Sequence, residues 1–304
     1  MNMKILITGA TGLVGNSLVS KLLNKGYKVN FLTTQKNKIN SINGCKGFYW
    51  NPFRGEIDLN AFENISHIIN LAGAPISESW TKKYKLKLIE SRVLSSQILY
   101  NSMADLNLKI DGIISASAIG YYPSSINKLY KESDIFSSNN FLQEIVNKWE
   151  NSINKLEIHS NNIVKLRIGL VLSDKGGFLS KLLTPIKFGL GSSFGSGNQW
   201  QSWIHIEDLT HLIIHSIENN LNGVFNAVAP NPISQTELIK HLGERLNRPI
   251  FLPNIPEVIL KIIIGNRSQL VLGSQKVSSN KILKSGFKFI YEKFEHAILD
   301  LKLN

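Results

Sequence analysis

Short apolar runs alternate with helical stripes along the first half of the chain. Lys4–Thr8 (KILIT) is a β-branched run halted by Gly9, the pattern of a buried strand. Apolar side chains then recur at Leu13, Val14, Leu18, Val19, Leu22 and Leu23, a helical stripe that ends near Gly26. Lys28–Thr33 reads as a second strand, Lys36–Gly47 as a polar loop, and His67–Leu71 as another buried strand ended by Ala72-Gly73-Ala74-Pro75. Residues from about Thr81 to Met103 read as one long amphipathic helix, Gly112–Ser117 as a strand, Asn140–Glu157 as a helix and Ile163–Leu172 as a strand. This β-α-β alternation of near-continuous apolar strands with helices predicts an α/β fold, a doubly wound parallel sheet covered on both faces.

Beyond Ser173 the pattern loosens. Gly176–Gly197 is glycine-rich and reads as irregular, Trp203–Ile206 as a short strand and Asp208–Asn219 as a helix. Gly223–Ala229, a helix around Thr236–Leu246 and the proline-punctuated Pro249–Pro256 complete the remainder. The reading is a main domain over residues 1–172, to which some later segments return, and a smaller substrate lobe over 173–304 with its own tail from about 249.

Composition narrows the classes. With 43% hydrophobic residues the chain has ample material for a core, which excludes disorder. A single cysteine, Cys45, excludes an internal disulfide and a thiolate-rich metal site, and the scattered histidines predict no metal. No apolar run approaches the roughly 18 residues of a membrane helix; the best, Val258–Ile264, is broken by Lys261. With no basic leader before KILIT, the expectation is a cytoplasmic protein, monomer or homodimer, with no membrane partner.

Charge is unevenly placed. The net charge is +12, and eight cations (Lys4, Lys21, Lys25, Lys28, Lys36, Lys38, Lys46 and Arg54) precede the first acid, Glu56. Such a stretch attracts a polyanion, whether nucleic acid or a phosphorylated small molecule. Nucleic acid is disfavoured, because no recognisable module or interleaved aromatics accompany the charge.

Between KILIT and the first helical stripe lies Gly9-Ala10-Thr11-Gly12-Leu13-Val14-Gly15. The first glycine of such a turn permits the sharp bend, the second lets backbone approach a diphosphate, and the third lets helix pack on strand. A strand before it and a helix after it are the context that makes this a Rossmann-type dinucleotide site. NAD-binding chains usually place a carboxylate at the end of the second strand. Here that position reads Thr33-Thr34-Gln35-Lys36, so a 2′-phosphate meets hydroxyl donors and a cation, and NADP (NADPH) is the expected cofactor.

With these glycines in place, Asn70-Leu71-Ala72-Gly73 resembles a signature of the extended short-chain dehydrogenases/reductases. The segments NLAGAPI, SWTKKYK…ESR, SASAIGYY, FLQEIVNKWE, RIGLVLSDKGG, GLGSSFGSGNQWQSWIHIEDL, NAVAPNPIS and RPIFLPNIP extend the likeness over nearly the whole chain. More specifically, it resembles the atypical epimerase-like branch with a C-terminal domain of unknown function, some members of which are labelled cell division inhibitor-like. That resemblance implies that Gly9 to Gly15 cradle the diphosphate, that Thr33, Thr34 and Lys36 surround the adenosine phosphate, and that Leu71, Ala72 and Gly73 line the adenosine side. It also implies that Arg92 reaches toward the cofactor and that Gly169, Leu170 and Val171 lie beside the nicotinamide.

In such enzymes a serine and a Tyr-x-x-x-Lys pair do the proton transfer that accompanies hydride transfer. Ser117 occupies the serine's place, but Leu142 and Val146 fall where tyrosine and lysine belong, and no Tyr-x-x-x-Lys occurs near that helix. Tyr121 and Tyr122 are the candidate replacements, on the loop leaving the strand that carries Ser117. Gln199 and Trp200, on a glycine- and tryptophan-rich loop, are candidate substrate contacts. His205 is expected to anchor the substrate lobe and Asp208 to cap the helix that follows. The function implied is an NADP-dependent oxidoreductase or epimerase acting on a small polar, sugar-type substrate; the alternative is a catalytically silent NADP-binding sensor or partner-binding protein, linked to cell division.

Overall fold

The computed structural model describes residues 3–303. The first half runs β1 (Lys4–Thr8), α1 (Leu13–Asn24), β2 (Lys28–Thr33), β3 (Cys45–Asn51), β4 (Glu56–Ile57), β5 (His67–Asn70), α2 (Lys82–Asp105), β6 (Ile110–Ala118), β7 (Leu129–Tyr130) and α3 (Phe141–Asn154). It continues through β8 (Ser160–Ile168), β9 (Leu170–Leu172), α4 (Phe178–Lys187), β10 (Trp200–Gln201), β11 (Trp203–His205), α5 (Ile206–Glu218) and β12 (Gly223–Ala227). The described chain ends with β13 (Ile233–Ser234), α6 (Gln235–Arg245), α7 (Glu257–Ile264), α8 (Gln269–Leu272), β14 (Lys276–Val277), α9 (Asn280–Lys284) and α10 (Phe294–Asp300).

Eight strands form the central sheet in the order β12-β8-β6-β5-β1-β2-β3-β4, every neighbouring pair parallel except β3 with β4. This is the doubly wound Rossmann-type α/β arrangement that the alternation of runs predicts. The pleat explains the two cores, because successive residues of β1 face opposite ways. Ile5 and Ile7 pack with Leu18, Val19 and Leu22 of α1 and Leu209, Leu212 and Ile213 of α5. Leu6 packs on the other face with Ile98, Leu99 and Met103 of α2 and Trp149 and Ile153 of α3.

Three features depart from the pattern reading. The stretch read as a loop ends in strand β3; Gly47 masks it, and its missing side chain is required because a Cβ there would lie 2.1 Å from the Ile39 carbonyl oxygen. The single strand expected over Ile163–Leu172 is two. Gly169 divides them where a Cβ would lie 2.4 Å from the Ser202 carbonyl oxygen, and β9 leaves the main sheet to pair with β11. Helix α4 lies inside the segment read as irregular, carrying Pro185 near its end. Beyond residue 172, α5 and β12 lie with the main sheet and its core.

Candidate cofactor and catalytic site

The turn after β1 is shaped by close packing. Gly9 has φ +73°, and a Cβ on it would lie 2.9 Å from the Leu71 carbonyl carbon. A Cβ on Gly15 would lie 2.2 Å from the Gly9 oxygen, so helix and strand meet only because both residues are glycine. Gly12 differs, for its Cβ would touch only the Gly9 oxygen, at 3.2 Å. As N-cap of α1 it offers no side-chain acceptor, and the first turn carries no acid, so the positive helix terminus is left for an anion. Ala10 is wholly buried and Val14 packs on the core; they shape the turn from behind.

A cleft of about 460 Å³ opens where β1, β2, β3 and β5 end. Thr8 ties two of these ends together: its hydroxyl donates to Asn70 Oδ1 (2.7 Å) and accepts from the backbone N–H groups of Leu71 and Ala72 (3.1 Å each). Gly9, Thr11 and Gly12 line the cleft, as do Thr33, Thr34, Leu71, Ala72 and Gly73. Leu13 lines the adjoining cavity together with Thr11 and Gly12. Thr33 Oγ1 accepts from the Gln35 N–H (3.2 Å) and so sets the turn that leaves Thr34 exposed. Lys36 is not a lining residue; its Nζ sits 5.0 Å from the Tyr49 ring centroid, a cation–π placement outside the cleft. Lys87 of α2 does line it, beside Trp50, Phe53, Ser91 and Ser95, with its Nζ 5.7 Å from the Tyr84 ring centroid. Among the described residues, no carboxylate lines the cleft.

Arg92 lies behind this wall. Its Nη1 donates to the Leu88 oxygen (2.8 Å) and its Nη2 to the Ala74 oxygen (3.3 Å), while Nε has no partner. The guanidinium stacks 5.0 Å from the Trp149 ring and lies close enough to Gly73 that a Cβ there would be 3.1 Å away. Burial pulls its pKa down to about 10. Arg92 thus braces the loop after β5 from beneath.

All three proton-transfer candidates are buried, Ser117 at 3% and Tyr121 at 7% exposure. Ser117 Oγ donates to Glu150 Oε1 (2.6 Å), and Arg167 clasps the same carboxylate through Nε–Oε1 and Nη2–Oε2, both 2.9 Å. Arg167 Nη1 donates to the Tyr122 hydroxyl (3.1 Å), which in turn donates to Asn226 Oδ1 (2.7 Å). Tyr122 is 1% exposed, and burial pushes its phenol up to about 12. Burial works against the Arg167 charge, but the Glu150 hydrogen bonds and charge outweigh it and hold its pKa above the ordinary value. Tyr121 lies at the edge of this network, its ring 3.4 Å from the Arg167 guanidinium carbon and its hydroxyl accepting from the Phe136 N–H (3.3 Å).

Gly169, Leu170 and Val171 stand half-exposed at the junction of β8 and β9. Gln199 is turned away from any cleft: 4% exposed, its Nε2 donates to the oxygens of Phe194 (2.9 Å) and Val271 (3.2 Å). Trp200 donates to the Ile126 oxygen (3.0 Å), with Lys276 4.1 Å over its ring. Both fasten the C-terminal segment rather than present free polar groups. That segment also packs on α3, which carries Leu142 and Val146: Leu270 packs with Leu142, Phe141 and Trp80, and Arg267 Nη1 donates to the Ser77 oxygen (2.9 Å). Asp208 does not cap α5. His205 does, through Nδ1 accepting from the Glu207 N–H (3.3 Å), while Asp208 accepts from the N–H groups of Ile290 (2.7 Å) and Tyr291 (3.0 Å).

The pattern reading missed Trp50, Phe53, Lys87, Glu150 and Arg167. For the last two a signal exists, since an arginine inside the apolar run IVKLRIGLVL must find a buried acid. The cleft residues had none, since each comes from a different element.

Comparison with known proteins agrees with this architecture. The model of the NAD dependent epimerase/dehydratase family matches residues 5–141, and that of a domain of unknown function (DUF1731) matches 255–301. An epimerase family protein of Staphylococcus haemolyticus is 34% identical over 98% of this chain and 98% of its own length, and one of Staphylococcus aureus is 35% identical over 97% and 98%. Among solved structures, the human epimerase family protein SDR39U1 with NADPH superposes with TM-score 0.87 at 26% identity, covering 99% of this chain and 100% of that one. A nucleoside-diphosphate sugar epimerase from Corynebacterium glutamicum gives TM-score 0.78 at 27% identity, over 98% of this chain and 57% of that one. On its sequence and its fold alike, this chain belongs to the NAD dependent epimerase/dehydratase family.

Proposed function

We propose that this chain binds NADPH along the carboxyl edge of its sheet and exchanges a hydride with a small polar, sugar-type substrate. The observation that carries the reading is the cleft itself, in which the glycine turn, Thr34 and Lys87 meet without a carboxylate. The open backbone at Gly12 and the N-terminus of α1 would hold the diphosphate, Leu71 and Ala72 the adenosine, and Thr33, Thr34 and Lys87 the end bearing the 2′-phosphate. Gly169, Leu170 and Val171 would border the nicotinamide, whose chemistry is to give or take the hydride. The likeness to a human family member solved with NADPH supports the choice of cofactor.

A second reading has its own observation. Leu142 and Val146 replace the proton-transfer pair, and Ser117 and Tyr122 spend their hydroxyl protons inside the protein, which favours a cofactor-binding sensor without turnover. Titrating NADPH and NADH against intrinsic tryptophan fluorescence tests the cofactor, since Trp50 lines the cleft. The expected result is NADPH bound at least about tenfold tighter; tighter NADH reverses the assignment. Oxidation of bound NADPH across a panel of carbonyls and nucleotide sugars then separates enzyme from sensor.

A further inference from the structure

Helix α7 turns an apolar face to solvent. At about 100° per residue, Val258, Ile262, Ile259 and Ile263 fall side by side over a stripe about 140° wide, while Leu260 and Ile264 point away from it. Leu260 is buried and Ile264 half-buried, whereas all four stripe residues are exposed, Ile262 by 79%. Two segments lead up to this helix side by side. The Ile255 N–H donates to the Ser193 oxygen (2.8 Å), the Gly195 N–H donates to the Ile255 oxygen (2.9 Å), and a Cβ on Gly191 would collide with Ile250 Cδ1. Leu190 and Phe251 flank that contact and Phe188 shortly precedes it, all three exposed. Seven large apolar side chains thus meet solvent in one part of the C-terminal lobe, where scattered single ones would need no explanation.

The charged border of this patch is of one sign. Segments 181–190 and 248–264 carry Lys181, Lys187, Arg248 and Lys261 against a single acid, Glu257. Glu257 is taken up by Lys261 (2.6 Å). Lys181, Lys187 and Arg248 are exposed and form no ion pair among the described residues.

Size and charge choose the occupant. A specific dimer draws about 20–30 residues from each partner, far more than seven apolar side chains and their border supply. Pairing across a two-fold axis would also set a cationic border against its own copy. A negatively charged lipid surface needs no matching contour and attracts the same cations. We propose that this face docks on an anionic bilayer. Helix α7 lies flat at headgroup level with its stripe toward the acyl chains, Phe188 and Phe251 enter beside it, and Lys181, Lys187 and Arg248 rest on the lipid phosphates. At eight residues, about 12 Å long, α7 is far too short to cross. The expectation of no membrane partner rested on the lack of a spanning run, which leaves surface contact open.

Flotation of the full-length protein with vesicles of phosphatidylcholine alone, or of phosphatidylcholine and phosphatidylglycerol in equal parts, tests the docking. Wild type should bind the mixed vesicles at least about tenfold better than the neutral ones, and less well as salt rises. Ile262→Ser/Ile263→Ser should lower that binding about tenfold. Lys187→Gln/Arg248→Gln should lower it about fivefold for each cation lost. Melting temperatures should hold, because all four side chains are exposed. Lys28→Gln/Lys46→Gln, which removes exposed cations on β2 and β3, should leave binding within about twofold. Wild type that does not float overturns the proposal, as does full binding by Ile262→Ser/Ile263→Ser. A loss in Lys28→Gln/Lys46→Gln equal to that in Lys187→Gln/Arg248→Gln also overturns it, since net charge alone would then be responsible. A dimer that Ile262→Ser/Ile263→Ser dissociates in sedimentation velocity, with no vesicle binding, overturns it too and gives the face to a second copy.

Discussion

Replacing Glu150 by alanine should cost more than any other single change near the sheet edge, and the structure sets the size. The side chain holds Arg167 through two hydrogen bonds of 2.9 Å and accepts from Ser117 at 2.6 Å, with Arg167 only 4% exposed. Removing the carboxylate leaves a buried guanidinium without a counter-ion, a loss of about 3–5 kcal/mol in comparable sites. At about 2 °C per kcal/mol for a chain of this length, the melting temperature should fall by roughly 6–10 °C. The companion variant Glu150→Met/Arg167→Met removes both charges while keeping volume and should be less damaging than Glu150→Ala alone. Tyr122→Phe, which deletes one donor and one acceptor from the same network, should cost about 1–3 kcal/mol. Thermal melts and urea titrations read all three. A loss under 1 kcal/mol for Glu150→Ala, or a double variant worse than the single, would refute the claim that this network is a buried, charge-balanced brace.

Two further outcomes follow from the same geometry. Lys87→Glu should weaken NADPH by about tenfold with little effect on NADH, whereas Lys36→Glu, outside the cleft, should leave the ratio of the two affinities unchanged; equal losses of both cofactors in Lys87→Glu would contradict the placement. Asp208, wholly buried, has its carboxyl raised to about 6 by burial despite two backbone hydrogen bonds, so the folded state binds the proton more readily than the unfolded chain does. Its charged form therefore burdens stability at pH 7, and relief grows as pH falls through 6 toward 4; between pH 7 and 5 wild type should gain about 1 kcal/mol relative to Asp208→Asn, read from urea midpoints.

How far the chain's pattern reveals this protein depends on how local each requirement is. The strand KILIT, the spacing of Gly9, Gly12 and Gly15 and the start of α1 lie within a few residues of one another, and their physical demands are met by those residues alone. Strand β3 escapes notice because Gly47 interrupts it, and what requires that glycine, the Ile39 carbonyl, is visible only in three dimensions. Gly169 likewise looks like one more residue of an apolar strand until Ser202 is found against it. At the cleft, Thr33 and Thr34 announce themselves by their place at a strand end. Lys87 is one of several lysines on a long helix, and only the packing of α2 singles it out. Lys36 shows the reverse: suitable in charge and position, it is not among the residues that line the cleft.

Two of the candidate hydroxyl protons are already committed inside the protein. Ser117 gives its proton to Glu150 and Tyr122 gives its own to Asn226, so neither has one to offer a substrate. Tyr121 only accepts, from the Phe136 N–H, which leaves its proton uncommitted among the described residues. Leu142 and Val146, expected where the family's tyrosine and lysine stand, lie beside Gly120, where a Cβ would meet them at 3.5 and 3.8 Å, and neither can carry a proton. Tyr121→Phe should therefore abolish turnover of whichever substrate the panel yields, while leaving NADPH affinity within about twofold. Because the lost hydroxyl only receives a hydrogen bond, at 3.3 Å, the melting temperature should move less than in Tyr122→Phe. Full turnover in Tyr121→Phe would assign the proton to water, and the tyrosine would then be no more than packing beside Arg167.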